Sequence, residues 1–211
     1  MAAKYIAFEG IDGSGKTRQV ELLVKALEEK GFKVLATREL GSNDPACLCL
    51  RDLYLNSAYN MDELSRQLLL AACSVQHSEK VIRANLSRYD YIISDRSIES
   101  NLVHSYASGI DRELTEKMFL LDKRRLHPDI VILLDINPET SWTRLQKRTK
   151  EKLKDGGEDR IEARGLDFQW TIRNEYHLRS KLNPKYRIIN CDDLNIQNTH
   201  LRVFSEVLHD E

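Results

Sequence analysis

The chain has 211 residues, of which 41% are hydrophobic and 31% charged, and its formal net charge is −1. That is room for one domain with a buried core, residues 1–211 as a unit, and the near-neutral balance excludes an overall basic field that would draw it to nucleic acid or an anionic membrane. The opening MAAKYIAFEG has no charged segment ahead of a long apolar run, so no signal peptide is expected. No run approaches the roughly 18 apolar residues of a membrane span. The four cysteines, Cys47, Cys49, Cys73 and Cys191, match no zinc or C-x-x-C spacing, and are expected to be reduced thiols of a cytosolic protein.

Five short apolar runs read as strands: KYIAFE (4–9), KVLAT (33–37), YIISD (91–95), IVILLD (130–135) and YRIIN (186–190). The middle ones show little polar alternation, which suits parallel strands buried on both faces. Helical patterns separate them. Val20, Leu23, Val24 and Leu27 recur at helical spacing, and Gly31 stands where a helix end wants a left-handed residue. A longer pattern runs from Asp62 to Leu86. NPETSWTRLQKR opens with Asn137 as N-cap and Pro138 in the first helical position. Residues 160–182 and 195–209 also read as helices. The charged segment 149–159, with Gly156-Gly157, reads as a mobile loop. Strands alternating with helices imply an α/β fold with an open, doubly wound sheet.

The stretch from residue 10 to 17 spells G-x-x-x-x-G-K-T between the first strand and the first helix. Its residues are Gly10, Ile11, Asp12, Gly13, Ser14, Gly15, Lys16 and Thr17. Glycines let successive backbone N–H groups point inward at phosphate oxygens, and the following helix aims its positive end at the same place. Lys16 is expected to reach the β- and γ-phosphates and Thr17 to ligate Mg²⁺, which implies binding of ATP with magnesium.

A base-reading N-K-x-D motif of GTPase switches is absent. A kinase needs further cations, some to hold an anionic acceptor and some to cover the transferring group. Arg38 follows the second strand and Asp95-Arg96 the third, at the strand ends where open α/β sheets bind ligands. Arg144, Lys147, Arg148, Lys150, Lys152, Lys154 and Arg160 flank or occupy the charged segment.

With these motifs in hand, the chain resembles the thymidylate kinase family of P-loop nucleoside monophosphate kinases nearly end to end. The resemblance rests on FEGIDGSGKT, TRE, AACSVQH, SDRS, HPDIVILLDINPE and DRIEARGLDFQWTIRNEY, the last with its R-x-x-Y spacing. It implies a three-layer α/β/α fold with a five-stranded parallel sheet and a mobile lid, here about 148–160. It also implies a homodimer that transfers the γ-phosphate of ATP to dTMP. By the same resemblance, Asp12 lies near the acceptor sugar, Arg38 and Arg96 clamp the acceptor phosphate, and Arg51 approaches it. Asp95 sits by the magnesium through water, Glu9 organises water or arginines, and Arg144 lies against adenine. The loop has no basic residue between its glycines, so Arg148 and Arg160 of the lid become the expected catalytic cations.

The sequence departs from the family pattern on the acceptor side. TRELGSND replaces TREPGGT. Leu70 and Ser74 stand where the family commonly has a stacking Phe and a base-reading Arg. The segment after Asp95-Arg96 offers Ser100, Asn101 and His104, with His104 in place of a Tyr. A site without its base-reading arginine should discriminate differently. Two outcomes stand open: a widened pocket that takes several deoxynucleoside monophosphates or a modified pyrimidine, or a thymine site rebuilt by other contacts. A deoxynucleoside kinase with Glu39 as base, and a nucleotide-binding regulator with a dead acceptor site, remain the alternative readings.

Overall fold

The computed structural model describes residues 2–40, 44–56, 58–119, 126–152 and 164–208, with only the backbone for 148–152. Its sheet has five parallel strands: β1 (Lys4–Glu9), β2 (Val34–Arg38), β3 (Tyr91–Asp95), β4 (Ile130–Asp135) and β5 (Tyr186–Asn190), in the order β2-β3-β1-β4-β5. Every residue of β3 and β4 is buried, and all of β1 after Lys4; the edge strands β2 and β5 are partly exposed. Central strands are covered on both faces, which is why their sequences run apolar without alternation.

The helices between them are α1 (Lys16–Glu29), α2 (Pro45–Leu55), α3 (Glu63–His77), α4 (Ile98–Ala107), α5 (Arg112–Phe119), α6 (Pro138–Lys152), α7 (Gly165–Leu182) and α8 (Ile196–Leu208). Local chemistry sets several ends. Asn137 Oδ1 accepts from the Glu139 amide at 2.8 Å at the start of α6, and Asp44 caps α2 ahead of Pro45. At the end of α1, Gly31 has φ 90°, its amide bonds to Glu28 and the Phe32 amide to Leu27. These two bonds form a Schellman motif, which the left-handed glycine makes possible.

Two expectations change. The long helical pattern 62–86 does not stay α-helical: α3 stops at His77, and a π turn (Ser78–Ile82) and a 3₁₀ turn (Arg83–Asn85) follow. His77 is buried and tied to Glu39 at 2.7 Å and to Thr37 at 2.9 Å, so the helix leaves its regular path where that side chain is anchored. The segment expected to be loop from residue 149 begins as helix, because the α6 backbone continues through Lys152. The remainder of the expected lid, Arg160 included, lies outside the described residues, and so does the Arg148 side chain.

Two apolar clusters position the site. The larger joins the sheet to α1 (Val20, Leu23, Leu27), α7 (Phe168, Ile172, Tyr176) and α8 (Val203, Val207). The smaller, Tyr54, Leu70, Ala71, Ile98, Leu102, Tyr106, Met118 and Phe119, joins α2 to α5 beside the sheet. Leu23 is fully buried in the larger cluster, on the helix that begins at the phosphate loop. Leu23→Ala is expected to cost about 2–5 kcal/mol of stability, read as a lower urea midpoint with an unchanged slope.

Candidate active site

The C-terminal ends of β1, β2 and β3 lie side by side, with Phe8 and Arg38 each paired in register with Asp95. Above them opens a cavity of about 1000 Å³. Asp12 to Thr17 form its floor, and Arg38, Glu39, Asp95 and Arg96 arrive from the strand ends. Arg51 and Tyr54 of α2, Leu70 of α3, Ser100, Asn101 and His104 of α4, and Arg144 of α6 complete the walls. An additional wall comes from Cys191, Leu194 and Asn195, which follow β5, and from Ile196, Gln197 and Thr199 in the first turn of α8.

The phosphate loop is a tight turn. Gly10 has φ 138°, and a Cβ there would lie 2.5 Å from the Leu134 carbonyl oxygen, so no side chain fits. Gly15 caps α1 with φ 95°, and a Cβ there would meet nothing within 4 Å. The helix start is thus open to an anion approaching the first amides of α1. Lys16 folds over the loop, its Nζ donating to the carbonyls of Gly10 (3.0 Å) and Ile11 (2.9 Å). Burial, with Arg96 adding to it, lowers the Lys16 pKa to about 8, which leaves the ammonium charged at neutral pH.

Next to the loop, Thr17 Oγ1 donates to Asp95 Oδ2 at 2.6 Å, and Arg38 Nε lies 3.9 Å from the same oxygen. Asp95 Oδ1 is buried and has no hydrogen-bond partner among the described residues. A hydroxyl and an unsatisfied carboxylate oxygen are hard donors of the kind magnesium takes when phosphates and water complete its shell. They fit that ion. Among the described residues no group of three or more His, Cys, Asp or Glu side chains could hold a metal by itself.

Arg96 occupies a costly backbone position, with φ 73°. A non-glycine residue there carries about 1–3 kcal/mol of strain and persists only where its surroundings over-determine it. They do so here. The Arg96 amide donates to the Phe8 carbonyl at 2.9 Å, and its own carbonyl accepts from Ser94 Oγ at 2.6 Å. Its guanidinium pairs with Asp12 Oδ1 and donates to Ser100 Oγ at 3.0 Å. Burial works against the Asp12 carboxylate, but Arg96 and Lys16 outweigh it and hold its pKa well below the usual range. The loop aspartate is therefore a fixed anion beside two cations.

On the far side, Glu39 is buried and accepts from Asn101 Nδ2 at 2.9 Å as well as pairing with His77. Ser74 does not line the cavity; its hydroxyl belongs to the Glu39 hydrogen-bond set. Leu70 does line it, as part of the smaller apolar cluster. His104 stands edge-on to Phe168, with ring centres 6.2 Å apart, and Arg164 covers the other ring at 3.6 Å. Arg144 Nη1 reaches the Gly13 carbonyl at 3.3 Å from an exposed position.

Sequence reasoning placed Lys16, Thr17, Asp95, Arg38 and Arg96 near one another, and the structure brings all five to one floor. It missed the wall from Cys191 to Thr199, whose sequence CDDLNIQNT carries no motif. The available signal was positional: this stretch follows the C-terminal end of a parallel strand. Gln19, buried with its Nε2 on the Ile196 carbonyl at 2.9 Å, was also missed.

The family model "Thymidylate kinase" matches residues 8–203. A thymidylate kinase of Caldicellulosiruptor saccharolyticus is 33% identical over 208 residues, 98% of this chain and 95% of its own. Another, of Thermosipho melanesiensis, is 36% identical over 187 residues, 88% of each chain. The crystal structure of thymidylate kinase from Ehrlichia chaffeensis superimposes with a TM-score of 0.74 at 29% identity, covering 98% of this chain and 99% of that one.

Burial, reinforced by the charges of Arg96 and Lys16, drives the His104 pKa from 6.5 down to about 3, so the folded protein holds this ring neutral. A His with a depressed folded pKa loses stability as pH falls below its unfolded value, because the unfolded chain takes up the proton first. His104→Gln is expected to remove about 2 kcal/mol of the stability lost between about pH 7 and pH 5, measured by urea unfolding at the two pH values. An acid limb identical to the parent's would show that His104 is protonated in the fold.

Proposed function

The chain belongs to the thymidylate kinase family, and from that premise we propose that it transfers the γ-phosphate of ATP to dTMP, giving dTDP and ADP. The observation that carries this reading is the adjacency of two cation-bearing groups on one floor, which we read as two phosphate sites. The loop, Lys16 and the Thr17–Asp95 pair stand at one, and Arg38 and Arg96 stand on neighbouring strand ends at the other. A nucleoside acceptor would need a carboxylate base for its hydroxyl. Glu39, the residue available for that role, is held by His77 and Asn101.

The attacking oxygen is a phosphate oxygen of dTMP, ionised near neutral pH. It bonds to the γ-phosphorus while the bond from that phosphorus to the β,γ-bridging oxygen breaks and ADP carries the electron pair away. No proton need be removed, so catalysis is alignment plus neutralisation of charge. Lys16 supplies a fixed cation at the donor and the Arg96 fork binds two oxygens of the acceptor phosphate. Magnesium, held from Thr17 and Asp95, would neutralise the donor phosphates when bound. Arg144 covers the adenine side. Arg51 adds charge at the acceptor phosphate, and Arg148 and Arg160 supply the covering cations. Ser100, Asn101 and His104 contact the acceptor nucleoside. Leu70 presents an alkyl wall to the base where an aromatic ring would stack, which favours tolerance of several pyrimidines. Residues 1–211 act as one kinase domain.

The assembly we propose is a homodimer through α3. Leu64 and Leu68 are 37% and 49% exposed, and Ala72 extends the same apolar stripe along the helix. Among the described residues no helix is long and apolar enough to cross a membrane.

Coupled ADP release with dTMP, dUMP, dCMP, dAMP, dGMP and thymidine tests the reaction. dTMP is expected to be the best acceptor, and a faster rate with thymidine overturns the reading. Lys16→Ala should lower turnover by about 10³-fold or more with the thermal melt retained. In sedimentation, the parent is expected as a dimer and Leu68→Glu as a monomer; a monomeric parent removes the assembly.

A further inference from the structure

Tyr176, the tyrosine of the R-x-x-Y spacing, lies on α7 and is 1% exposed. It is not among the residues that line the cavity, yet its hydroxyl touches Ser100, which is. Tyr176 Oη donates to Glu9 Oε2 at 2.7 Å and lies 2.8 Å from Ser100 Oγ. Ser100 Oγ donates to the same Glu9 oxygen at 2.5 Å and accepts from Arg96 Nη1 at 3.0 Å. The other Glu9 oxygen accepts the amide and the hydroxyl of Ser97, both at 2.8 Å, directly after the strained Arg96.

This is a directed chain. With both hydroxyl hydrogens given to Glu9, the lone pairs of Ser100 Oγ are left to face the Arg96 guanidinium. Without the Tyr176 hydroxyl, Ser100 Oγ loses its 2.8 Å neighbour and Glu9 Oε2 loses one of its two donors, so Glu9 and Ser100 can shift together and turn the serine oxygen away from Arg96. The tyrosine ring would still fill its place in the core, because only the oxygen is spent on the site.

We propose that Tyr176 is a positioning residue, acting through Glu9 and Ser100 to set the Arg96 fork for the acceptor phosphate. The proposal rests on the kinase reading above. α7, the helix that follows the family's lid segment, thereby takes part in acceptor binding without touching the acceptor.

The test is steady-state kinetics of the full chain with dTMP and ATP. Wild-type turnover is measured first; its absence overturns the kinase reading, and this inference with it. Given an active parent, Tyr176→Phe is expected to raise the KM for dTMP and lower kcat, together about tenfold in kcat/KM, with the KM for ATP unchanged. In an Arg96→Lys background the same change should cost almost nothing more, since the group being positioned is gone. Ser100→Ala breaks the chain at its next link and should likewise lose its effect in the Arg96→Lys background, which a direct contact of Ser100 with the acceptor would not do, so the test stays open if Tyr176→Phe folds poorly. Equal kinetics in Tyr176→Phe and the parent overturn the proposal. So does an equal loss in the wild-type and Arg96→Lys backgrounds, which marks a purely structural role.

Discussion

A carboxylate with no solvent exposure ends the central strand, and both sides of the cavity depend on how its charge is satisfied. Taking such a group out of water costs several kcal/mol unless donors replace the lost water. Burial pushes the Glu9 pKa up, against the pull of Arg96 and of the hydroxyls of Ser100, Tyr176 and Ser97. Those donors come from the turn after β3, the first turn of α4, and the distant helix α7. Satisfying one side chain therefore ties three elements to the strand that carries the phosphate loop.

The same economy of charge governs the floor. Lys16 and Arg96 are cations within a cluster whose anions are the buried Glu9 and Asp95 and the partly buried Asp12. Burial opposes the charge of Arg96, but Asp12, Tyr176 and Glu9 raise its pKa overall, so the guanidinium is a permanent charge. Such groups are oriented before any substrate arrives, and little reorganisation is left for the reacting complex. The Thr17–Asp95 bond holds a hydroxyl and a carboxylate in place beside them, with Asp95 Oδ1 left without a partner among the described residues.

Legibility in the sequence followed how local the cause was. β1, β3 and β4 were readable because a strand buried on both faces must be apolar throughout. α4 was not, although it forms one wall of the cavity. Ile98 to Tyr106 are all buried, so the helix has no solvent face and no amphipathic period, and it carries Ser100, Asn101, His104 and Ser105 inward. α2 and α5, short helices around the smaller cluster, were missed for lack of a long repeat. The 62–86 pattern was read as one helix because periodicity does not register that His77 is pinned to the strand end by Glu39 and Thr37.

By itself, then, the sequence determined the phosphate loop, the strand that feeds it and the helix that leaves it. A turn built on glycine, lysine and threonine is closed by bonds a few residues apart, as Lys16 to Gly10 and Ile11 shows. The strand ends with Arg38, Asp95 and Arg96 were determined the same way, because a parallel sheet presents its C-terminal edge to one place. Only the tertiary structure decided that Ser74 turns to Glu39 while Leu70 faces the cavity, that residues 191–199 complete its wall, and that Tyr176 reaches Glu9 across 167 positions of chain. Each of those depends on which buried polar group finds a partner. That choice is made between elements remote in sequence, where no spacing rule applies.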